Sequence, residues 1–181
     1  MRKANNPSEL AFNTRTEWAG WQPEIRATLM FIVRGDEVLL IDKLTGIGKG
    51  KVNGPGGKID PGETAEEAII RECQEELHIT PLKPVKMGEL CFAMSDIPDI
   101  HCHVFIAKKF KGEPKPTLEA DPFWKKITDI PYEKMWEDDQ YWLPQMLEGQ
   151  QFFAKFDFTE ETIDWMDVRF GEKSVQNWLG E

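Results

Sequence analysis

The sequence predicts an α/β protein, a mixed β-sheet with helices outside it. Residues 25–33 alternate, with Ile25, Ala27, Leu29, Phe31 and Val33 on one face and Thr28, Met30 and Ile32 on the other, which is the period of a strand. Thr64 followed by Glu67 three residues later reads as a capping box that opens a helix. Strand-like stretches return on the far side of that helix, so it is embedded among strands rather than stacked with other helices.

In chain order, residues 1–24 show no clear period and form an N-terminal extension, broken by Pro7, Gly20 and Pro23. Trp18 and Trp21 predict that part of it docks on the body. After the strand at 25–33, Arg34 to Glu37 reads as a turn and Val38 to Asp42 as a returning strand. Thr45 to Gly57 is glycine-rich and predicts a loop running past a ligand. In the helix that follows, Ile70, Cys73 and Leu77 make an apolar stripe, expected to lie opposite its carboxylates. Pro81 and Pro84 end that element. Val85 to Met94 and His101 to Phe110 predict a strand pair around the loop Ser95 to Ile100, and Phe123 to Thr128 a further short strand. Residues 133–148 are expected to be partly helical, with Pro144 interrupting, and Gln151 to Phe158 to be a late strand. Ile163, Met166 and Phe170 stand at helical spacing, so the C-terminal extension 159–181 is predicted to be helical.

At 181 residues the chain fits one domain, placed at 25–158 between its two extensions. A net charge of −10, with no basic patch, argues against a nucleic-acid polymer as ligand. Cys73, Cys91 and Cys102 are sparse and odd in number, the pattern of a reducing, cytoplasmic setting. No apolar run is long enough to span a bilayer, and the polar N-terminus lacks a signal-peptide core.

Glu72, Glu75 and Glu76 stand at i, i+3 and i+4, which gathers three carboxylates on one helical face. Like charges so placed repel, and stability alone gives no reason to gather them. A divalent cation relieves the repulsion, and hard oxygen ligands suit Mg²⁺, or Mn²⁺ in its place. Lys58, directly after the glycines, could meet a phosphate.

The stretch GKIDPGETAEEAIIRECQEELHI, residues 57–79, resembles the Nudix box, G-x5-E-x7-R-E-U-x-E-E-x-G-U with U aliphatic. Gly57, Glu63, Arg71, Glu72, Glu75, Glu76 and Ile79 match in register. Cys73 stands at an aliphatic position, a mild change. His78 replaces the final glycine, which predicts local strain or a different helix exit. The resemblance implies an α/β/α sandwich and metal-dependent cleavage of a phosphoanhydride. It makes Glu72, Glu75 and Glu76 both metal ligands and the catalytic set, one of them or a nearby Glu serving as base. It adds the Gly56 carbonyl as a metal ligand, and it implies that Glu63 and Arg71 hold loop and helix together as an ion pair.

Four further segments, VNGPGGK (52–58), CFAM (91–94), HVF (103–105) and MWEDDQYWLP (135–144), are similar to the animal oxidised-purine nucleoside triphosphatases, the 8-oxo-dGTP diphosphatases. The similarity runs from about Ala27 to Phe158. It implies a purine pocket with Asn53, Trp136, Asp138 and Asp139, lined also by Thr28 and Phe92, and makes Glu119 an additional metal ligand. Trp136 would offer an aromatic face, and the Asp pair could share a proton, one accepting and one donating. Ile47, Pro55 and Met94 stand where those enzymes carry aromatic residues, and Val52 where they carry Trp. The implied function is hydrolysis of oxidised purine nucleoside triphosphates to monophosphate and pyrophosphate, by a monomer or homodimer. Other nucleotides, a dinucleotide, a nucleotide sugar and a 5′-phosphorylated RNA end remain open as substrates. A non-catalytic module is disfavoured because every box carboxylate is kept. His101 and His103 share a strand face, but no Cys/His pair elsewhere matches zinc spacing, so strand packing is expected of them.

Overall fold

The computed structural model describes residues 16–171. Its first strand, β1 (Ile25–Arg34), turns through Asp36 into β2 (Glu37–Lys43), and the glycine-rich segment after it holds two short strands, β3 (Val52–Asn53) and β4 (Gly56–Lys58). Helix α1 (Ala65–Leu77) follows, then β5 (Thr80–Leu82), β6 (Val85–Met94), β7 (Ile100–Ala107), β8 (Lys109–Lys111) and β9 (Ala120–Lys126). Helix α2 (Asp139–Leu147) precedes the hairpin β10 (Phe152–Thr159) and β11 (Thr162–Phe170). The large sheet runs β11-β10-β6-β7-β1-β2-β3, with β4 on β1 and β9 on β2. It is mixed because β1 pairs with β7, and β10 with β6, in parallel. Strands β5 and β8 form a separate ribbon.

Alternation on the central strands builds a core on each face. On one side Phe31, Leu40, Leu90, Val104 and Phe156 pack with Trp142, Leu143 and Met146 of α2. On the other, Met30, Ile32, Leu39 and Ile41 pack with Ile69, Cys73 and Leu77 of α1. The α/β/α sandwich implied by the Nudix resemblance is what the chain forms. Trp142 anchors the α2 layer: it stacks on Phe152 at 4.9 Å and meets Phe31 edge-on at 5.8 Å. Trp18 and Trp21 dock as expected, against Cys91 and Phe153, and the Trp21 indole donates to Asp99 at 2.8 Å. Residues 1–15 and 172–181 of the two extensions lie outside the described residues. Among the described residues no helix is long and apolar enough to cross a membrane.

The structure corrects two expectations. The C-terminal segment is not helical where it is described: residues 162–170 form β11, antiparallel to β10. The pairing skips one residue, Asp157 facing Trp165 and Phe158 facing Ile163, so Asp164 is an extra residue in β11. That bulge turns Ile163 to the side occupied by Met166, Val168 and Phe170. An i, i+3 apolar pair thus arises from an irregular strand and imitates helical spacing. The second correction concerns α1. Its packing residues are Ile69, Cys73 and Leu77, and Glu72 and Glu76 are buried beside them rather than opposite. Only Glu75 projects outward.

Candidate active site

The site is assembled from the β3–β4 segment, the buried flank of α1, the strands β1, β6 and β10, and the segment from Trp136 to Asp139 that leads into α2. Thr64 caps α1 with both bonds of the predicted box: its hydroxyl accepts from Glu67 N at 3.1 Å and its own N–H donates to the Glu67 carboxylate at 2.8 Å. This fixes where the Glu-bearing face starts. At the other end His78 adopts φ 60°, ψ 30°, and Ile79 N–H reaches back to Cys73 O at 3.4 Å. The left-handed exit of the missing glycine is therefore kept by a histidine.

Arg71 organises the loop. Its guanidinium grips Glu63 at 2.6 and 2.9 Å, donates to Glu72 at 2.9 Å and to Glu75 at 3.2 Å, and reaches the Lys58 carbonyl at 3.0 Å. The Arg71 hydrogen bonds hold the Glu63 carboxyl down at about 2, and Glu63 raises the already high Arg71 value. A Cβ at Gly57 would lie 2.4 Å from the Glu72 carboxyl carbon and would displace that side chain, and a Cβ at Gly56 would lie 2.0 Å from the Thr28 backbone oxygen, which only glycine avoids.

Glu72 and Glu76 are 9% and 2% exposed. Burial raises the Glu72 carboxyl against the pull of Arg71. Burial also pushes Glu76 up to about 7; Lys43 and the Gly56 N–H oppose this, while Glu72 and Glu119 add to it. Glu76 Oε2 is buried without a hydrogen-bond partner. A cation between these carboxylates would satisfy that atom and relieve the mutual repulsion, so the donor set fits a hard divalent ion.

A single pocket of about 360 Å³ takes in Glu72, Glu76, Glu119, Gly56, Lys58, Asn53, Thr28, Phe92, Trp136, Asp138 and Asp139, a volume suited to a small-molecule ligand. Glu63, Arg71 and Glu75 do not line it; the Glu75 side chain is 57% exposed on the Arg71 side. Asp138 and Asp139 are 2% and 3% exposed. Burial pushes Asp138 up to about 7, opposed by the Trp142 indole, which donates to it at 2.9 Å. Burial and the neighbouring Asp138 raise Asp139 well above the carboxylate range, and Asp139 Oδ2 has no hydrogen-bond partner. Asn53 Oδ1 accepts from Gly54 N at 2.8 Å, so the side-chain oxygen is engaged. The Thr28 hydroxyl is turned to the Gly57 carbonyl at 3.4 Å.

Sequence reading missed several lining residues. Phe158 meets Trp136 edge-on and Phe92 at 61°, both at 5.9 Å; its signal was the inward alternation of β10. Lys43 closes the Glu76 side, while Ile97, Ile100 and Cys102 complete the wall, and nothing in their local sequence marks them. Of the four aromatic-to-aliphatic changes, Ile47 and Met94 line the pocket. Val52 belongs to the core and Pro55 is buried.

The NUDIX domain model matches residues 23–146. An oxidized purine nucleoside triphosphate hydrolase of Danio rerio is 40% identical over 134 residues, covering 72% of this chain and 85% of that protein. Its counterpart of the same name in Mus musculus is 34% identical over 135 residues, covering 74% and 86%. Among solved structures, a MutT protein from Bacillus halodurans superposes with a TM-score of 0.70 at 26% identity, over 80% of this chain and 97% of that one.

Proposed function

The chain belongs to the Nudix family of hydrolases, and from that premise we propose that it cleaves oxidised purine nucleoside triphosphates such as 8-oxo-dGTP to the monophosphate and pyrophosphate. The observation that carries this reading is the shared pocket: one cavity holds the buried pair Asp138–Asp139 and the buried carboxylates Glu72 and Glu76. A base and a phosphate chain of one nucleotide can address both sets at once. The names of the zebrafish and mouse relatives support the substrate class.

Glu72, Glu76 and Glu119, with the Gly56 carbonyl, would hold Mg²⁺, or Mn²⁺ in its place, and Glu75 would join them by leaving Arg71. Bound there, the ion supplies positive charge against the phosphate oxygens and a more acidic water. Arg71 and Glu63 keep Glu72 in place without touching substrate. One of Glu72, Glu75 and Glu76 accepts the proton of the attacking water. Lys58 and Lys43 lend positive charge to the phosphates. At the base, Trp136, Phe92 and Phe158 form aromatic walls. Asn53 donates through its amide NH₂, and the Asp pair, holding one proton, offers a donor and an acceptor to the purine edge. Small nucleotides, acted on in the cytoplasm by a monomer or homodimer, suit this reading; the three cysteines are buried and unpaired.

A panel of normal and oxidised dNTPs, a dinucleotide, a nucleotide sugar and a 5′-triphosphorylated RNA, assayed with Mg²⁺, tests it. The oxidised purine triphosphate should show the highest kcat/KM, and the products should be monophosphate and pyrophosphate. Higher kcat/KM for unmodified dGTP or for the nucleotide sugar overturns the substrate assignment. Glu76→Gln should lower kcat by at least about 10²-fold on every substrate. A near-normal rate, or full activity in EDTA, removes Glu76 from the metal site.

A further inference from the structure

On the sheet face turned away from the α2 core, β6 and β7 bring together three groups that the sequence keeps apart. Glu89 of β6 is the cross-strand partner of His103 on β7, and His101 lies two residues earlier on the same face. One ligand atom from each of Glu89, His101 and His103 can be chosen so that all lie within 4.8 Å of one another. The two imidazoles are 4.6 Å apart, centroid to centroid. Glu89 is 4% exposed and His103 6% exposed.

Three nitrogens of this cluster lack a hydrogen-bond partner. His101 Nε2 and both nitrogens of His103 are buried and form no hydrogen bond. Glu89 Oε1 lies 2.9 Å from His101 Nε2 and 3.3 Å from His103 Nδ1. These are close approaches without hydrogen-bond alignment, so we read the nitrogens as unsatisfied despite the short distances. Leaving such atoms buried and unpaired destabilises the fold. The competing account is an ion pair of Glu89 with a protonated His101, 2.9 Å away, or with Lys86, whose Nζ stands 3.4 Å from Oε1. Either pairing leaves His103 Nε2 buried without a partner, and the Lys86 side chain is 43% exposed.

We propose that Glu89, His101 and His103 form a binding site for a first-row divalent transition metal, Zn²⁺ in particular, separate from the phosphate-cleaving site. Two imidazole nitrogens and one carboxylate oxygen match zinc in donor type and number, with bonds of about 2.0–2.2 Å and a fourth position open to water. Mixed nitrogen and oxygen donors disfavour Mg²⁺, which keeps to oxygen. His101 is only half-buried and supplies the route of entry. The metal would clip β6 to β7 behind Leu90, Phe92 and Cys102, which line the pocket from the opposite face. Its action is therefore to stiffen the purine wall rather than to take part in the chemistry. Lys86 must move aside, so its positive charge lowers the affinity.

The test is equilibrium dialysis of the full chain against Zn²⁺ in excess Mg²⁺, followed by metal analysis, with Co²⁺ absorption as a report on imidazole ligation. Wild type should retain one Zn²⁺ per chain, and Glu76→Gln should retain it equally. Glu89→Gln and the partly exposed His101→Gln should each weaken retention by more than about 10-fold, the range lost on removing even an outer support of a metal. Saturating Zn²⁺ should raise the Tm of wild type by about 5 °C and leave that of His101→Gln unmoved. No retained Zn²⁺, retention lost in Glu76→Gln, or equal retention in wild type and both cluster variants overturns the proposal. Melting of the metal-free variants near the wild-type Tm shows that they fold.

Discussion

At Asp138 and Asp139 two adjacent carboxyls are withdrawn from water, and only Asp138 receives a side-chain hydrogen bond, from Trp142. Burial raises both, Asp138 to about 7, so near neutrality the pair keeps a proton and presents unlike partners to a purine edge. Asp138→Asn and Asp139→Asn should cut kcat/KM for the preferred purine far more than for a poor substrate, since a buried polar site that loses its partner discriminates strongly. The pH profile of kcat/KM should lose its limb near pH 7 in the same variants. Equal loss on all nucleotides would show that the pair is structural. Trp142→Phe probes the same point from behind: it keeps the stacking on Phe152 but removes the donor, so Asp138 should titrate higher and selectivity should fall without a comparable fall in kcat. The adjacency of the two Asp residues was visible in the sequence. Their burial was not, because it depends on Trp142, Leu143 and Met146 seating α2 in the core.

Helix α1 shows how much of an element can be read locally. The capping box and the carboxylate spacing are short-range patterns; the box appears in the structure as the sequence implied, while the spacing brings Glu72 and Glu76 together and leaves Glu75 turned outward. The face they occupy is a long-range matter: Glu72 and Glu76 are buried by β4 and the strands beneath it, which no helical periodicity reports. The same limit applies to β11, where the bulge at Asp164 gave apolar residues a helical interval. It applies again to Glu89, which reaches the two histidines only through the register of β6 on β7. At the C-terminus of α1, His78 carries a side chain at φ 60°, a conformation that costs a non-glycine residue about 1 kcal/mol. His78→Gly should therefore stabilise the protein by about 0.5–1 kcal/mol in urea unfolding, after allowing for the greater freedom of glycine in the unfolded chain. A loss of stability would mean that the imidazole makes a contact worth more than the strain it causes.

For the whole molecule the gathered carboxylates set a pH dependence whose sign follows from the direction of each shift. Glu76 and Asp138 are both raised to about 7 in the metal-free protein. Over the interval between their ordinary values and pH 7 the folded state therefore holds more protons than the unfolded chain. Stability contributed by these protons is fully present below about pH 4 and is lost as pH rises to 7. Glu63 acts in the opposite sense. Held at about 2 by Arg71, it stabilises above its ordinary value and loses that contribution as pH falls toward 2. His103, lowered by burial to about 4, opposes the decline between pH 4 and 6.5, but the raised carboxyls outnumber it, so the metal-free protein should be most stable near pH 4, weaken up to about pH 7 and then level off, as read by urea unfolding in EDTA at fixed ionic strength. Asp138→Asn should flatten the decline between pH 4 and 7, and Glu76→Gln should flatten it further, because each removes one proton uptake on folding. Mg²⁺ should restore stability most at the alkaline end, where Glu76 is ionised and its repulsion from Glu72 and Glu119 is greatest. A stability curve that rises from pH 4 to 7 in EDTA would mean that these carboxyls are ionised in the folded protein without a cation to hold them, and their burial would then call for none.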